Sequence, residues 1–172
     1  CFGKAMANGM PISAIAGKKK FMQELNHAFF SMTFGGECLS LAASIATIKE
    51  LQNRDYSHIW KLGTLFEDGM SDLAAKHDLD IVFAGSGPRH NLTFSDSYKD
   101  ASGMRDLFYQ EMVKQQILFS NVLYINFAHT ENDIIKTIES ADNAFKIVKE
   151  NIDSIDKVLE GKRSVAVFRK NT

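Results

Sequence analysis

Cysteine is scarce in this chain: Cys1 and Cys38 are the only two. They permit at most one bridge and offer no metal-ligand spacing, and free thiols suit a reducing cytoplasm. An excess of one charge is also lacking. Twenty basic and 21 acidic side chains leave a net charge of −1, which gives no electrostatic case for nucleic acid or a membrane surface. The one like-charge run, Lys18-Lys19-Lys20, reads as a solvated face. No apolar stretch reaches the roughly 20 residues that a membrane-spanning helix needs, and no secretory signal is visible. Internal repeats and low-complexity tracts are missing too. His27, His58 and His77 show no metal spacing. What is left is ordinary globular composition, 45% hydrophobic and 24% charged in 172 residues. A chain of that length buries roughly 70% of its unfolded surface, enough for one sizeable core or two small ones.

Apolar periodicity gives the organisation. Residues 1–52 hold a short apolar start, a strand over Ile12–Gly17 and an alanine-rich helix over Gly36–Leu51. Asn53-Arg54-Asp55 is a polar break. Ile59, Leu62, Phe66, Met70 and Leu73 then recur at helical spacing, which predicts a long amphipathic helix stopping near His77-Asp78. Strands are expected at Asp80–Ala84 and Asn91–Ser95, joined by the turn-rich Gly85-Ser86-Gly87-Pro88. A helix over about Gly103–Gln115 buries Met104, Leu107 and Phe108. Short strands follow near Ile117–Phe119 and Val122–Asn126. Thr130-Glu131-Asn132-Asp133 reads as a capping box opening a last helix, with Ile134, Ile138, Ala141, Phe145 and Val148 as its apolar stripe. Val165–Phe168 is either an added strand or an ordered tail.

Lys4 is the candidate for chemistry. It stands at the end of the first apolar segment, before a loop containing Gly9 and Pro11 and a second apolar segment. An amine there can meet a carbonyl, and it becomes nucleophilic where burial or a neighbouring cation leaves some of it neutral. On spacing alone, a solvated loop lysine is the simpler reading. The second candidate region, Phe29-Phe30-Ser31-Met32-Thr33-Phe34-Gly35-Gly36-Glu37-Cys38, is a hydroxyl- and glycine-rich loop running into a helix. Free N–H groups and the dipole at such a helix start welcome anions.

Gly3-Lys4 followed by Ala7-Asn8-Gly9-Met10-Pro11 and Ala14-Ile15-Ala16-Gly17 resembles the cofactor-lysine segment of class III aminotransferases, in the glutamate-1-semialdehyde 2,1-aminomutase-like branch. Two of the family's three glycines in the loop triplet are replaced, leaving Ala7-Asn8-Gly9. The Thr33 loop resembles the family's Gly-Thr-Phe-Ser-Gly-Asn-Pro-Leu stretch. Leu107–Met112 and Ala128–Ile134 are similar to segments near the family's last strands and last long helix.

The resemblance implies an α/β fold, the C-terminal part of a fold type I pyridoxal-phosphate-dependent transferase. Residues 1–52 would end its large cofactor-binding domain, and residues 53–172 would form its small C-terminal α+β domain. It implies pyridoxal 5'-phosphate held by Lys4 as a Schiff base, and Lys4 moving a proton between substrate and cofactor. It also implies Thr33 bonded to the cofactor phosphate of the other subunit in a homodimer with a shared active site. Substrates would be small amino donors and acceptors, in the cytoplasm. Glu37, where the family has Asn or Pro nearby, is expected to point away from the phosphate or to serve the substrate side. The family's ring-nitrogen aspartate, phosphate loop and stacking aromatic precede its lysine. Only three residues precede Lys4, so the chain reads as the later part of a longer protein, inactive by itself. The alternative is a stand-alone or degenerate domain that keeps the fold as a binding module. Arg89 and His129 are weighed as substrate contacts, but a surface turn and a packed loop explain them more simply. His90, the neighbour of Arg89, stays outside the site too.

Overall fold

The computed structural model describes residues 1–29, 31–120 and 122–165, and the chain divides into two compact units, Cys1–Asp55 and Tyr56 onward. In the first unit a 3-10 turn spans Lys4–Ala7, α1 spans Lys19–Met22, a second 3-10 turn spans Gln23–His27, and α2 spans Cys38–Gln52. Helix α2 packs against the Lys4–Ala7 turn. The buried residues of these two elements are small: Ala7, Ser40 and Ser44. Large apolar side chains of this unit, among them Phe2, Phe21, Leu39 and Ile45, are exposed.

Ile12–Gly17 forms no strand, contrary to the sequence expectation. One antiparallel bridge joins Phe2 to Ala14, with N–H···O distances of 2.7 and 2.9 Å. A strand needs a partner along its length, and among the described residues the opposite segment leaves the extended path at Lys4, where it turns into the 3-10 segment.

The second unit contains α3 (Ser57–Lys76), β1 (Ile81–Ser86), β2 (Arg89–Phe94), α4 (Ala101–Lys114), β3 (Val122–Tyr124), α5 (Glu131–Glu150) and α6 (Ile155–Val158). The sheet is antiparallel in the order β1-β2-β3, with Ile81 opposite Phe94 and His90 opposite Leu123. Strand alternation sends His90, Leu92 and Phe94 to the buried face. The helical stripes cover that face. Phe94 meets Phe108 of α4 and Phe145 of α5 edge-on, both at 6.3 Å, and Phe108 stacks on Phe145 at 5.0 Å. Burying each of these rings is worth about 1.5–3 kcal/mol.

Gly87, between β1 and β2, has φ +56°, and a Cβ there would overlap the Trp60 ring. A Cβ on Gly63 of α3 would overlap the Gly87 carbonyl, so both glycines are needed for the helix to meet the turn. The capping box forms as expected. Thr130 Oγ1 accepts from Asp133 N–H at 3.3 Å, and the Asp133 carboxylate accepts from Thr130 N–H at 2.8 Å. Ile117–Phe119 is not a strand; Phe119 is buried and packs its ring on Phe66 and Phe108.

After α6 the chain returns across α4. Gln110 donates to the Val158 carbonyl and accepts from Glu160 N–H. Arg163 donates to both Asp100 oxygens, at 3.1 and 2.8 Å, and to Asp156 at 2.6 Å. Ser164 N–H donates to Asp106 at 2.8 Å. From Ala166 onward the tail expected as a strand or ordered segment lies outside the described residues.

Candidate functional site

Lys4 does not end a strand; it opens the 3-10 turn with φ +45° and is exposed. Left-handed backbone is rare for a residue with a Cβ and costs on the order of 1–2 kcal/mol. Among the described residues, three other non-glycine residues share that region, and each closes an element. Asn8 ends the turn that Lys4 begins, while Asp78 and Gln116 follow the last residues of α3 and α4, where a left-handed residue is the common exit. Lys4 has no such capping duty. Gly9 follows Asn8 at φ +101°, so the loop beyond the lysine reverses sharply, as its glycine suggests.

The Thr33–Gly36 turn precedes α2. Its backbone is held by Gly35 N–H donating to Met32 O at 3.0 Å and Glu37 N–H donating to Phe34 O at 3.3 Å. Thr33 lines an open cavity of about 690 Å³. Ser13 and Ser31 add hydroxyls to its wall, and Ile12, Met32 and Phe34 add apolar surface. The cavity therefore joins the segment following Lys4 to the Thr33 loop. Lys4 itself is not part of that lining. The size falls in the range of small-molecule sites, about 300–1,000 Å³.

Glu37 lines the same cavity. Its carboxylate folds over the start of α2, accepting from Leu39 N–H at 2.7 Å, from Ser40 N–H at 2.6 Å and from the Ser40 hydroxyl. The Ser40 hydroxyl first, then the Ser40 and Leu39 N–H groups, hold its pKa below the usual carboxylate value. The N–H groups expected to be free for an anion are thus already bonded to one. Sequence did not disclose this, because capping preference favours Ser, Thr, Asp and Asn, not the longer Glu.

Other polar residues resolve into structure. Arg89 is exposed at the start of β2, its guanidinium 5.8 Å from the Tyr124 ring. His129 Nδ1 accepts from Asn126 N–H at 3.1 Å, and His58 Nε2 donates to the His129 carbonyl at 3.1 Å. His77 Nε2 pairs with Asp142 at 2.6 Å. His90 is buried against Phe66 in the core of the second unit. Cys1 and Cys38 are free and exposed. Among the described residues no helix is long and apolar enough to cross a membrane.

Comparison with known proteins places these observations in a family. The model of Aminotransferase class-III matches residues 1–86, half of the 172-residue chain. The chain is 28% identical over 163 residues to glutamate-1-semialdehyde 2,1-aminomutase 1 of Staphylococcus carnosus, covering 85% of this chain and 38% of that protein. It is 29% identical over 161 residues to aminomutase 2 of Staphylococcus saprophyticus, covering 84% and 37%. The chain therefore spans less than two fifths of the length of these relatives. Among solved structures, the pyridoxal-phosphate internal aldimine form of the FumI protein of Sphingopyxis sp. MTA144 superposes with a TM-score of 0.79 at 24% identity, over 88% of this chain and 37% of that one. A transaminase with pyridoxal phosphate bound gives 0.80 at 21%, over 88% and 38%. The mixed helix-and-sheet fold is that of part of a pyridoxal-phosphate-dependent transaminase, as the two motif loops imply.

Proposed function

The chain belongs to the class-III aminotransferases, and we propose that it is the C-terminal portion of a pyridoxal-phosphate-dependent enzyme that moves an amino group, as a transaminase or a 2,1-aminomutase. The observation that carries this reading is the left-handed backbone at Lys4. Strain of this kind at a residue with no capping duty gathers at functional sites. Here it falls on the one lysine of the family-like Gly3-Lys4 segment, inside the matched residues.

Parts of this chain fit parts of the cofactor. Lys4 presents an exposed amine beside a sharply turning loop, and the cavity beside Thr33 carries the hydroxyls of Ser13, Ser31 and Thr33 together with the Glu37 carboxylate, which is bonded to the start of α2. No residue of this chain is assigned to the pyridine nitrogen or to the ring face. Lys4 Nζ would hold pyridoxal phosphate covalently, and the Thr33 hydroxyl would donate to a phosphate oxygen of the cofactor bound by a second copy of the protein. When bound, the cofactor supplies an electron sink for the bond broken at the substrate carbon. Lys4 Nζ, once neutral and free, would take a proton from that carbon and return one. The domain roles follow the resemblance: residues 1–52 complete the large domain and residues 53–172 form the small one. The substrates are small amino and carbonyl compounds, the working unit is a homodimer in the cytoplasm, and this segment alone is inactive.

The test uses the full-length protein with a panel of amino donors and keto-acid acceptors, beside an internal 1,2-amino shift assay. Turnover that disappears in Lys4→Ala supports the reading, and the productive assay separates transfer from migration. Turnover that survives in Lys4→Ala removes the lysine from the chemistry. No turnover with any substrate favours the non-catalytic module.

A further inference from the structure

The chain beyond α6 is held by a different kind of contact from the rest of the second unit. Ile155 of α6 is buried in the core, and Val158 and Leu159 pack against it. Past Leu159 the apolar anchoring stops: Glu160, Gly161, Lys162, Ser164 and Val165 are exposed, and Arg163 is half-buried. Residues 160–164 nonetheless run back along α4 toward its start, carried by polar side chains of that helix.

Gln110 reads the backbone of the return, its amide nitrogen donating to Val158 O at 3.1 Å and its amide oxygen accepting from Glu160 N–H at 2.7 Å. Lys114, one turn on, lies 2.7 Å from the Glu160 carboxylate. Asp106, one turn back, accepts from the Ser164 N–H at 2.8 Å and from the Ser164 hydroxyl at 2.7 Å. At the helix start Arg163 donates to both Asp100 oxygens, in the space that Gly103 leaves by having no Cβ. Gly103, Asp106, Gln110 and Lys114 follow one another at spacings of three and four, so they share one face of α4. Packing against that face is loose: an open cavity of about 580 Å³ is lined by Tyr109 and Val113 of the helix and by Leu159 and Gly161 of the return.

These contacts are charged and reach water. The side chains of Arg163, Asp100, Asp156, Lys114 and Glu160 are all partly or largely exposed. Ion pairs of this kind contribute little each and are screened by salt. Hydrogen bonds from Arg163 hold the Asp100 and Asp156 carboxyls below their ordinary pKa. Both therefore stay charged at neutral pH, where screening rather than protonation weakens the contact.

We propose that residues 160–165 form a salt-released strap: the segment lifts off α4 as a unit while the core stays folded, and its opening bares the Gly103–Lys114 face of the helix. A segment with exposed hydrogen bonds and no buried apolar side chain belongs to the first parts of a protein to open. Val158 and Leu159, packed on the core, mark where the strap is hinged.

The experiment follows amide exchange of the strap, read at Glu160 and Ser164, beside that of Ala144 and Phe145 in α5, each normalised to a free peptide of residues 158–165 or 142–147. Between about 0.05 M and about 0.5 M sodium chloride the strap amides should speed up about fivefold to tenfold while the α5 amides hold their protection. Arg163→Gln should speed the strap amides about tenfold at low salt and remove most of their salt response. Asp106→Asn should act in the same direction, most strongly at Ser164. Lys146→Gln, the same charge change on α5, should leave the strap unchanged.

Strap amides that exchange only together with those of α5 would make the return part of the core and overturn the proposal. Strap exchange that ignores salt, or that Lys146→Gln alters as much as Arg163→Gln, would show that these ion pairs do not hold the segment. Strap amides as fast as the free peptide at low salt would mean that no strap is closed.

Discussion

Replacing Gly103 by alanine in the first turn of α4 should destabilise the protein, against the usual sign. Alanine in a helix gains at most about 0.5–1 kcal/mol over glycine, and less near an end. A Cβ at this site would overlap Nη1 of Arg163 and Oδ2 of Asp100. The Arg163 fork, bidentate on Asp100, would have to leave, and a partly exposed pair of this geometry is worth about 1 kcal/mol at most. Asp100 is also the cap of α4, accepting from Gly103 N–H at 3.0 Å, and disturbing a cap costs typically ~1 kcal/mol. The losses exceed the gain, so Gly103→Ala should lower stability by about 0.5–1 kcal/mol in urea unfolding of the chain. In an Arg163→Ala background the main obstruction is gone, and Gly103→Ala should become neutral or stabilising. A coupling of about 1 kcal/mol between the two sites is expected. Equal effects of Gly103→Ala in both backgrounds would mean that the returning segment does not lie on α4.

Three further outcomes follow from the second unit. Phe108→Ala should cost about 3–5 kcal/mol by denaturant unfolding, because the ring is fully buried among Phe94, Phe119 and Phe145; a loss below about 1 kcal/mol would deny the aromatic cluster. Thr130→Ala should cost about 1 kcal/mol and fray the start of α5 in amide exchange, whereas unchanged protection would deny the capping box. Burial pushes the Tyr109 phenol from its ordinary value up to about 12, with Arg105 opposing and Asp106 adding to the rise. Its folded pKa lies above the unfolded one, so this stabilisation is complete below pH ~10 and disappears as pH rises toward 12. An ultraviolet titration of Tyr109→Phe should lack the latest-ionising tyrosine; loss of an early step instead would contradict the burial.

Much of the second unit was legible because each stripe has one way to be buried. Ile59, Leu62, Phe66 and Met70 lie on one side of α3 whatever the partner, and the Thr130 box names its own helix start. The β1–β2 hairpin was readable from Gly85-Ser86-Gly87-Pro88 between two apolar runs. Strand readings failed where pairing, not pattern, decides. Among the described residues Ile12–Gly17 has only the Phe2–Ala14 bridge, and Ile117–Phe119 is irregular chain held by the buried Phe119 ring. Helix α6 is four residues long and too short to carry a periodic signal. At the candidate site, the motif pattern singled out Lys4 and Thr33, while the left-handed backbone of Lys4 and the Glu37 cap are properties of local geometry that residue spacing does not encode.

The account stands most directly on covalent capture of the cofactor by Lys4. The full-length protein, loaded with pyridoxal phosphate, would be reduced with borohydride, digested and its peptides sequenced by mass. A pyridoxyl group on the Lys4 residue of the peptide beginning near Phe2-Gly3 is the expected result. A reduced protein with no adduct, or with the adduct on a different lysine, would contradict it.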